Sequence, residues 1–208
     1  MLEFLPNWLG GLLHNVRAGH AKLLIVDPEL AVGDATISLT SPAFANGARL
    51  PERFTADGEG NSPPLTWGAL PEGTASVLLI VEDPDAPAFQ PLLHALMWNM
   101  PADQNFLPEG SFNASDDAGL TRANVGGASV LSQGWVPPDP PPGHGPHDYV
   151  FQLFALAEPL QLDDDPDATG VKAALLRNVL ACGMLVGTFS RGEEAPLPPL
   201  GFRNPSLA

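Results

Sequence analysis

Two short stretches carry most of the side chains in this sequence that could do chemistry. The first reads V-E-D-P-D-A-P from Val81 to Pro87 and sets two carboxylates, Asp83 and Asp85, at the end of the aliphatic run Val77 to Val81. Pro84 biases the residue before it toward extended backbone, and in an extended chain residues two apart share a face. Asp83 and Asp85 can therefore both look into one cavity at the strand's end. His94 opens a second apolar segment, Ala95 to Met100. If the two segments pair in one sheet, the loop between them returns the imidazole to the level of Asp83. The plainer alternative is a turn held by proline and Asx hydrogen bonds, with His94 an ordinary strand-end residue. The second stretch, Gly143 to Leu156, reads G-H-G-P-H-D-Y-V-F-Q-L-F-A-L and delivers His147 and the only tyrosine, Tyr149, to the start of a strand. Alternation puts His147 and Tyr149 on one face and Asp148 on the other. Acids, two imidazoles and a phenol suit a small polar headgroup with positive and negative parts.

D-P-D-A-P followed by a histidine, and then G-P-H-x-Y, together resemble the phosphatidylethanolamine-binding protein family, in particular its bacterial Raf kinase inhibitor-like (YbhB/YbcL-type) branch. The likeness continues through Ser41-Pro42-Ala43-Phe44, Phe54-Thr55-Ala56-Asp57-Gly58, Ser62-Pro63-Pro64-Leu65-Thr66-Trp67 and Leu185-Val186-Gly187-Thr188-Phe189, covering roughly residues 34 to 191. The resemblance implies two antiparallel sheets with a small cavity at one end. It implies a ligand-binding or regulatory module rather than an enzyme, one that holds a phosphate-like or phosphoethanolamine headgroup without a cofactor. The residues it marks as ligands are Asp83, Asp85, Pro87, His94, His147 and Tyr149. A kinase or protease partner is implied by resemblance only. Three positions depart from the family pattern: Leu93 replaces a common aromatic, Asp148 replaces the arginine of H-R-Y, and Pro137 stands where many relatives have glycine. Pro137 removes a backbone N–H that would otherwise be free to donate to an anion.

The same residues admit rival chemistry, a hydrolase or a metal-dependent enzyme using the Asp/His pocket. Neither H-E-x-x-H nor a close His-x-His spacing supports a metal site. G-x-S-x-G, G-x-G-x-x-G and the P-loop are likewise absent, which leaves no recognised catalytic motif.

Charge narrows the partners. With 24 acids against 9 lysines and arginines among 208 residues, the net charge of −15 opposes nucleic acid and anionic lipid surfaces. Cys182 is the only cysteine, which excludes an internal disulfide. Within an apolar helical pattern it reads as a small core residue. No stretch has the apolar length of a membrane helix and no secretory signal is evident, so the expected location is cytoplasmic.

The elements that must position the two stretches are mostly strands. Leu5, Trp8, Leu9, Leu12, Leu13 and Val16 recur at helical spacing, predicting an amphipathic helix over residues 1–19 within an N-terminal extension, 1–33, that docks on the domain or pairs two copies as a homodimer rather than lying on a membrane surface, for which Arg17 and Lys22 are too few. Residues 34–191 form the expected domain, with strands at Asp34–Thr40, Thr66–Leu70, Val77–Val81, Ala95–Met100, Tyr149–Leu156 and Leu185–Phe189. A long irregular span, Pro101 to Pro146, ends in a proline-stiffened segment that could form one wall of a pocket. Val171, Ala174, Leu175, Val179 and Cys182 define a helical face closed by Gly183. Asp163 to Asp167 reads as an acidic helix entry, and residues 192–208 as a proline-rich tail. The fold class is mainly β: an antiparallel β-sandwich with a C-terminal helix and an added N-terminal amphipathic helix.

Overall fold

The structure is a computed structural model that describes residues 15–30, 35–113, 124–125, 127–128, 132–162, 166 and 168–191. Its strands are β1 (Leu39–Thr40), β2 (Ala48–Arg49), β3 (Leu65–Trp67), β4 (Ser76–Asp83), β5 (Leu92–Pro101), β6 (Phe106–Leu107), β7 (Asn124–Val125), β8 (Gly127–Ala128), β9 (Ser132–Gln133), β10 (His147–Leu156) and β11 (Val179–Phe189). A single helix among the described residues, α1, spans Ala168–Leu175.

The frame is a six-stranded sheet in the order β2-β11-β10-β4-β5-β7, antiparallel throughout except where β2 runs parallel to β11. Its central strands are apolar on both faces, as expected where both faces are covered. On the inner face Val77, Leu79 and Val81 of β4 and Tyr149, Phe151 and Leu153 of β10 share one buried cluster with Leu39, Leu65, Trp67 and Leu107 of the three-stranded sheet β1-β3-β6. On the outer face Leu78, Ile80, Leu96, Phe154 and Leu156 join Val171 and Leu175 of α1 and Leu24 and Leu30 of the N-terminal segment. The chain is thus mainly β, with two sheets around the inner core and one C-terminal helix.

Several expectations shift. Most of the N-terminal stripe lies outside the described residues; Val16, its one described member, is not in a helix, and residues 20–30 form three 3-10 turns, His20–Lys22, Leu24–Val26 and Pro28–Leu30. The strand expected over Asp34–Thr40 is confined to Leu39–Thr40, with a lone bridge from Thr36 to Cys182. The largest correction concerns the helix, which stops at Leu175 and leaves Val179, Cys182 and Gly183 inside β11. Gly183 caps nothing: a Cβ there would stand 2.3 Å from the Ile37 carbonyl oxygen. The glycine instead lets residues 35–37 cross close over β11. Asp163 to Asp165, Asp167 and the tail lie outside the described residues.

Candidate functional site

β4 and β5 pair with Asp83 opposite Leu92, which brings the two chemical stretches to one end of the sheet. Regular alternation would not deliver His94, because Ala95 faces the inner core and its neighbour should face outward. The register changes from Val81↔Ala95 to Glu82↔Leu93, leaving His94 as the extra residue of a β-bulge. A bulge bends its strand and re-aims one side chain. Here it turns His94 inward, with its ring edge-on to Tyr149 at 5.0 Å between centroids. The proline-stiffened connector holds it there: the Val136 N–H donates to the His94 carbonyl at 2.8 Å, and His94 Nδ1 donates to the Val136 carbonyl at 2.6 Å. With Nδ1 donating, the neutral ring leaves Nε2 as a bare acceptor. That atom is buried without a hydrogen-bond partner, 4.0 Å from Asp83 Oδ2, too far for a hydrogen bond.

Asp83 uses both oxygens. Oδ1 accepts the Asp85 N–H at 2.8 Å, the Asx turn of the plainer reading, while Oδ2 accepts from His147 Nδ1 at 2.7 Å. The turn of the plainer reading is therefore present, and Asp83 also meets the imidazole of the second stretch. Beyond His147 lies a residue whose role the sequence did not disclose: His144 Nδ1 meets His147 Nε2 at 2.7 Å, and His144 Nε2 lies 3.3 Å from the Val16 carbonyl. This line of groups begins and ends on acceptors, Asp83 and the Val16 carbonyl. Its three contacts need three N–H protons, one more than two neutral imidazoles carry.

Tyr149, Asp83, His94, His144 and His147 are all buried, and the Tyr149 hydroxyl, like His94 Nε2, has no partner. Burial pushes the His94 imidazole below its ordinary value, against the pull of Asp83 and the Val136 hydrogen bond. Burial, and then the negative charge of Asp83 and Asp139, holds the Tyr149 phenol well above its usual range. Neutral His94 and neutral Tyr149 are therefore the resting forms.

Asp85 stands apart from this cluster. Its Oδ2 accepts the Asp148 N–H at 2.8 Å, and its Oδ1 pairs with Arg17 at 2.5 Å. Asp148 faces away from the pocket, as alternation predicts, and meets His20 Nε2 at 3.0 Å. Ligand atoms of His20, Asp85 and Asp148 come together at metal spacing, but Arg17 already supplies the cation. Pro87 is half-buried on the loop beyond, and none of the described contacts ties it to the pocket side chains. Pro137 follows Val136 in the wall beside His94. Also missed from sequence was Arg191, which bridges Asp57 and Asp139. Its partners lie 134 and 52 residues away, beyond any local signal.

Fold and site together define a mainly β protein with a cluster of buried polar side chains at the ends of β4, β5 and β10. The family model described as phosphatidylethanolamine-binding protein matches residues 40–190, and the chain belongs to that family. A UPF0098 protein of Methanothermobacter thermautotrophicus is 36% identical over 157 residues, 75% of this chain and 100% of that protein. A UPF0098 protein of Aquifex aeolicus is 33% identical over 81% of this chain and 97% of its own length. Among solved structures, Escherichia coli YbcL, described as a member of the mammalian PEBP family, superposes with a TM-score of 0.70 at 28% identity, covering 75% of this chain and 99% of that one. The PEBP homologue CT736 of Chlamydia trachomatis gives 0.66 at 29% identity, covering 76% and 99%.

Proposed function

We propose that the chain is a binding or regulatory module whose pocket takes a phosphate-like anion, free or as a phosphoethanolamine headgroup, through His94, His147 and Tyr149, with Asp83 orienting His147. The observation that carries this reading is that two of the three buried polar atoms without partners among the described residues, His94 Nε2 and the Tyr149 hydroxyl, lie on rings 5.0 Å apart, the third being Trp67 Nε1. A buried polar group left unpaired costs about 1–3 kcal/mol, so two in one small space mark a place where a ligand restores the missing bonds. Phosphate oxygens accept from the phenol and, once His94 is protonated, from its Nε2–H. Asp85 and Pro87 shape the rim in this reading, and the two sheets around the inner core form the sandwich expected of the family.

Turnover is not part of the reading. Both His147 nitrogens are engaged, by Asp83 and His144, so an anion reaches His147 Nε2 by taking the place of His144. A panel of ester and phosphate substrates should show no turnover that His147→Ala removes. Calorimetry with phosphate, phosphoethanolamine and zinc tests the ligand. His94→Ala or His147→Ala should each weaken phosphate by about 1.5–3 kcal/mol, roughly ten- to 150-fold. Phosphate binding untouched by both substitutions would sink the proposal, and zinc binding that strengthens with pH would favour a metal site instead.

A kinase or protease partner, pairing of copies through the N-terminal stripe, and cytoplasmic residence belong to the same proposal. No helix among the described residues is long and apolar enough to cross a membrane. The name lipoprotein LppC, borne by a Mycobacterium tuberculosis relative 38% identical over 74% of this chain, cuts against the cytoplasm. Fractionation of cells expressing the full chain decides the compartment.

A further inference from the structure

The polar cluster is closed to solvent. Asp83, His94, His144, His147 and Tyr149 are each no more than 3% exposed. An anion can reach them only if some covering element moves. β4, β5 and β10 are locked by their ladders. The connector is clamped by the reciprocal His94–Val136 bonds, by the Trp135 Nε1–H to the Phe54 carbonyl, and by the Ala56 N–H to the Pro138 carbonyl.

Over His144 lies the N-terminal segment, and it is built in two unequal halves. Residues 20–30 are anchored: Leu24 and Leu30 sit in the outer core, Leu24 N–H reaches Glu82 Oε2 at 3.3 Å, Ile25 N–H reaches Gln152 Oε1 at 2.7 Å, and Lys172 pairs with Asp27 and Glu29. Residues 16–19 place no side chain in either buried cluster and are held by polar contacts instead. Val16, 45% exposed, offers its carbonyl to His144. Arg17 reaches Asp85 and donates to the Pro146 and His144 carbonyls at 3.0 and 3.3 Å, and the Ala18 and Gly19 N–H groups donate to the Ala86 and Pro84 carbonyls at 3.0 and 2.8 Å. Between the halves Gly19 has φ +103°, with nothing within 4 Å of where a Cβ would stand. Such a residue can absorb a change of backbone direction.

We propose that residues 16–19 are a gate over the pocket, hinged at Gly19 and pegged by Arg17 on Asp85, which must swing away from His144 before an anion can enter. The inference rests on the pocket being the binding site, but its motion is measurable without a ligand. The gate lies outside residues 40–190, which match the family model. It also gives Asp148 a use. Asp85 and Asp148 stand side by side at the rim, where Arg17 of the segment meets Asp85 and His20 meets Asp148.

Native-state hydrogen exchange on the intact protein is the first test. The Ala18 and Gly19 amides should exchange through local opening, orders of magnitude faster than the amides of β4 and β10. Exchange of these two amides only with global unfolding would overturn the gate. The second test is diethyl pyrocarbonate labelling read residue by residue, with the exposed His20 as internal control. Arg17→Ala should speed labelling of His144 and His147 by about ten- to a hundredfold, the loss expected for one charge-assisted contact, and leave β4 exchange unchanged. Arg17→Gln, which keeps donors for the carbonyls but loses the charge, should fall between. Pocket histidines that label equally slowly in all three proteins would refute the proposal. Phosphate association should accelerate in Arg17→Ala in step with labelling. Faster labelling with no phosphate binding in any of the proteins would support the gate and remove the anion reading, so the two fail separately.

Discussion

His94 sets the proton balance of the pocket. Its folded value lies below the ordinary value of 6.5, so the unfolded chain takes up this proton more readily than the native protein. Stability that is whole above about pH 6.5 should be lost as pH falls from there through the folded value. Phosphate reverses the preference, because it gains most from imidazolium. Binding should therefore tighten from about pH 8 to about 5.5, and the calorimetric heat should vary with the buffer's ionisation enthalpy as a proton is taken up; heats independent of buffer would contradict this. Glu82, on the outer face, runs the other way. Burial raises its carboxyl above the ordinary value, although the Gln152 and Leu24 N–H groups oppose the shift. Its contribution is whole below about pH 4.5 and is lost as pH rises through the folded value. Glu82→Gln keeps an oxygen for both donors and removes the charge, so it should raise the melting temperature at pH 8 and lose that advantage near pH 4. Equal melting temperatures at both pH values would refute the assignment.

At the scale of the element, Gly183 is the sharpest test. With an Ile37 backbone oxygen 2.3 Å from the missing Cβ, Gly183→Ala must push residues 35–37 off β11. Denaturant melts should show a loss of about 1–3 kcal/mol, the usual cost of overpacking, and an unchanged midpoint would remove the close crossing. This glycine also shows where the sequence could be read and where it could not. The strands β4, β5 and β10 were legible because aliphatic runs end at prolines, and D-P-D-A-P, His94 and G-P-H-x-Y pointed to the side chains that come together as Asp83, His94, His147 and Tyr149. Val179 to Gly183 was misread because apolar residues at helical spacing also suit a strand buried on both faces, and a helix-capping glycine looks the same in sequence as one under a crossing backbone. The bulge at His94 left no mark. His144 stood in view within G-H-G-P-H, but its bond to His147 depends on the turn between them. Arg17 reaches Asp85 through the fold, and nothing near it in sequence announces the partner.

The whole molecule is strongly acidic, and its proposed ligand is an anion. With 24 acids against 9 lysines and arginines, long-range repulsion slows the approach of phosphate rather than steering it in. Raising ionic strength from about 0.01 M to about 0.15 M shortens the Debye length from about 30 Å to about 8 Å. Stopped-flow association should then become faster, opposite to the usual behaviour of steered pairs. A rate that falls with salt would mean that a local positive patch dominates the approach.

The contacts of the N-terminal segment come in series along the chain: Arg17, Ala18 and Gly19 on the pocket rim, Lys22 on the Phe89 carbonyl, Leu24 and Ile25 on β4 and β10, then Asp27 and Glu29 on Lys172. A load applied from the N-terminal side meets these contacts one after another, as a zipper, whereas the ladders joining β4 to β5 and β10 share a load among many bonds at once. The segment should therefore peel at low force and uncover His144 while the sheets stand intact. Optical-tweezers traces would show a small early extension before the main rupture, and Arg17→Ala would lower the force of that first step alone. A protein that bears load from this end would have its pocket opened by tension before any of its strands separate.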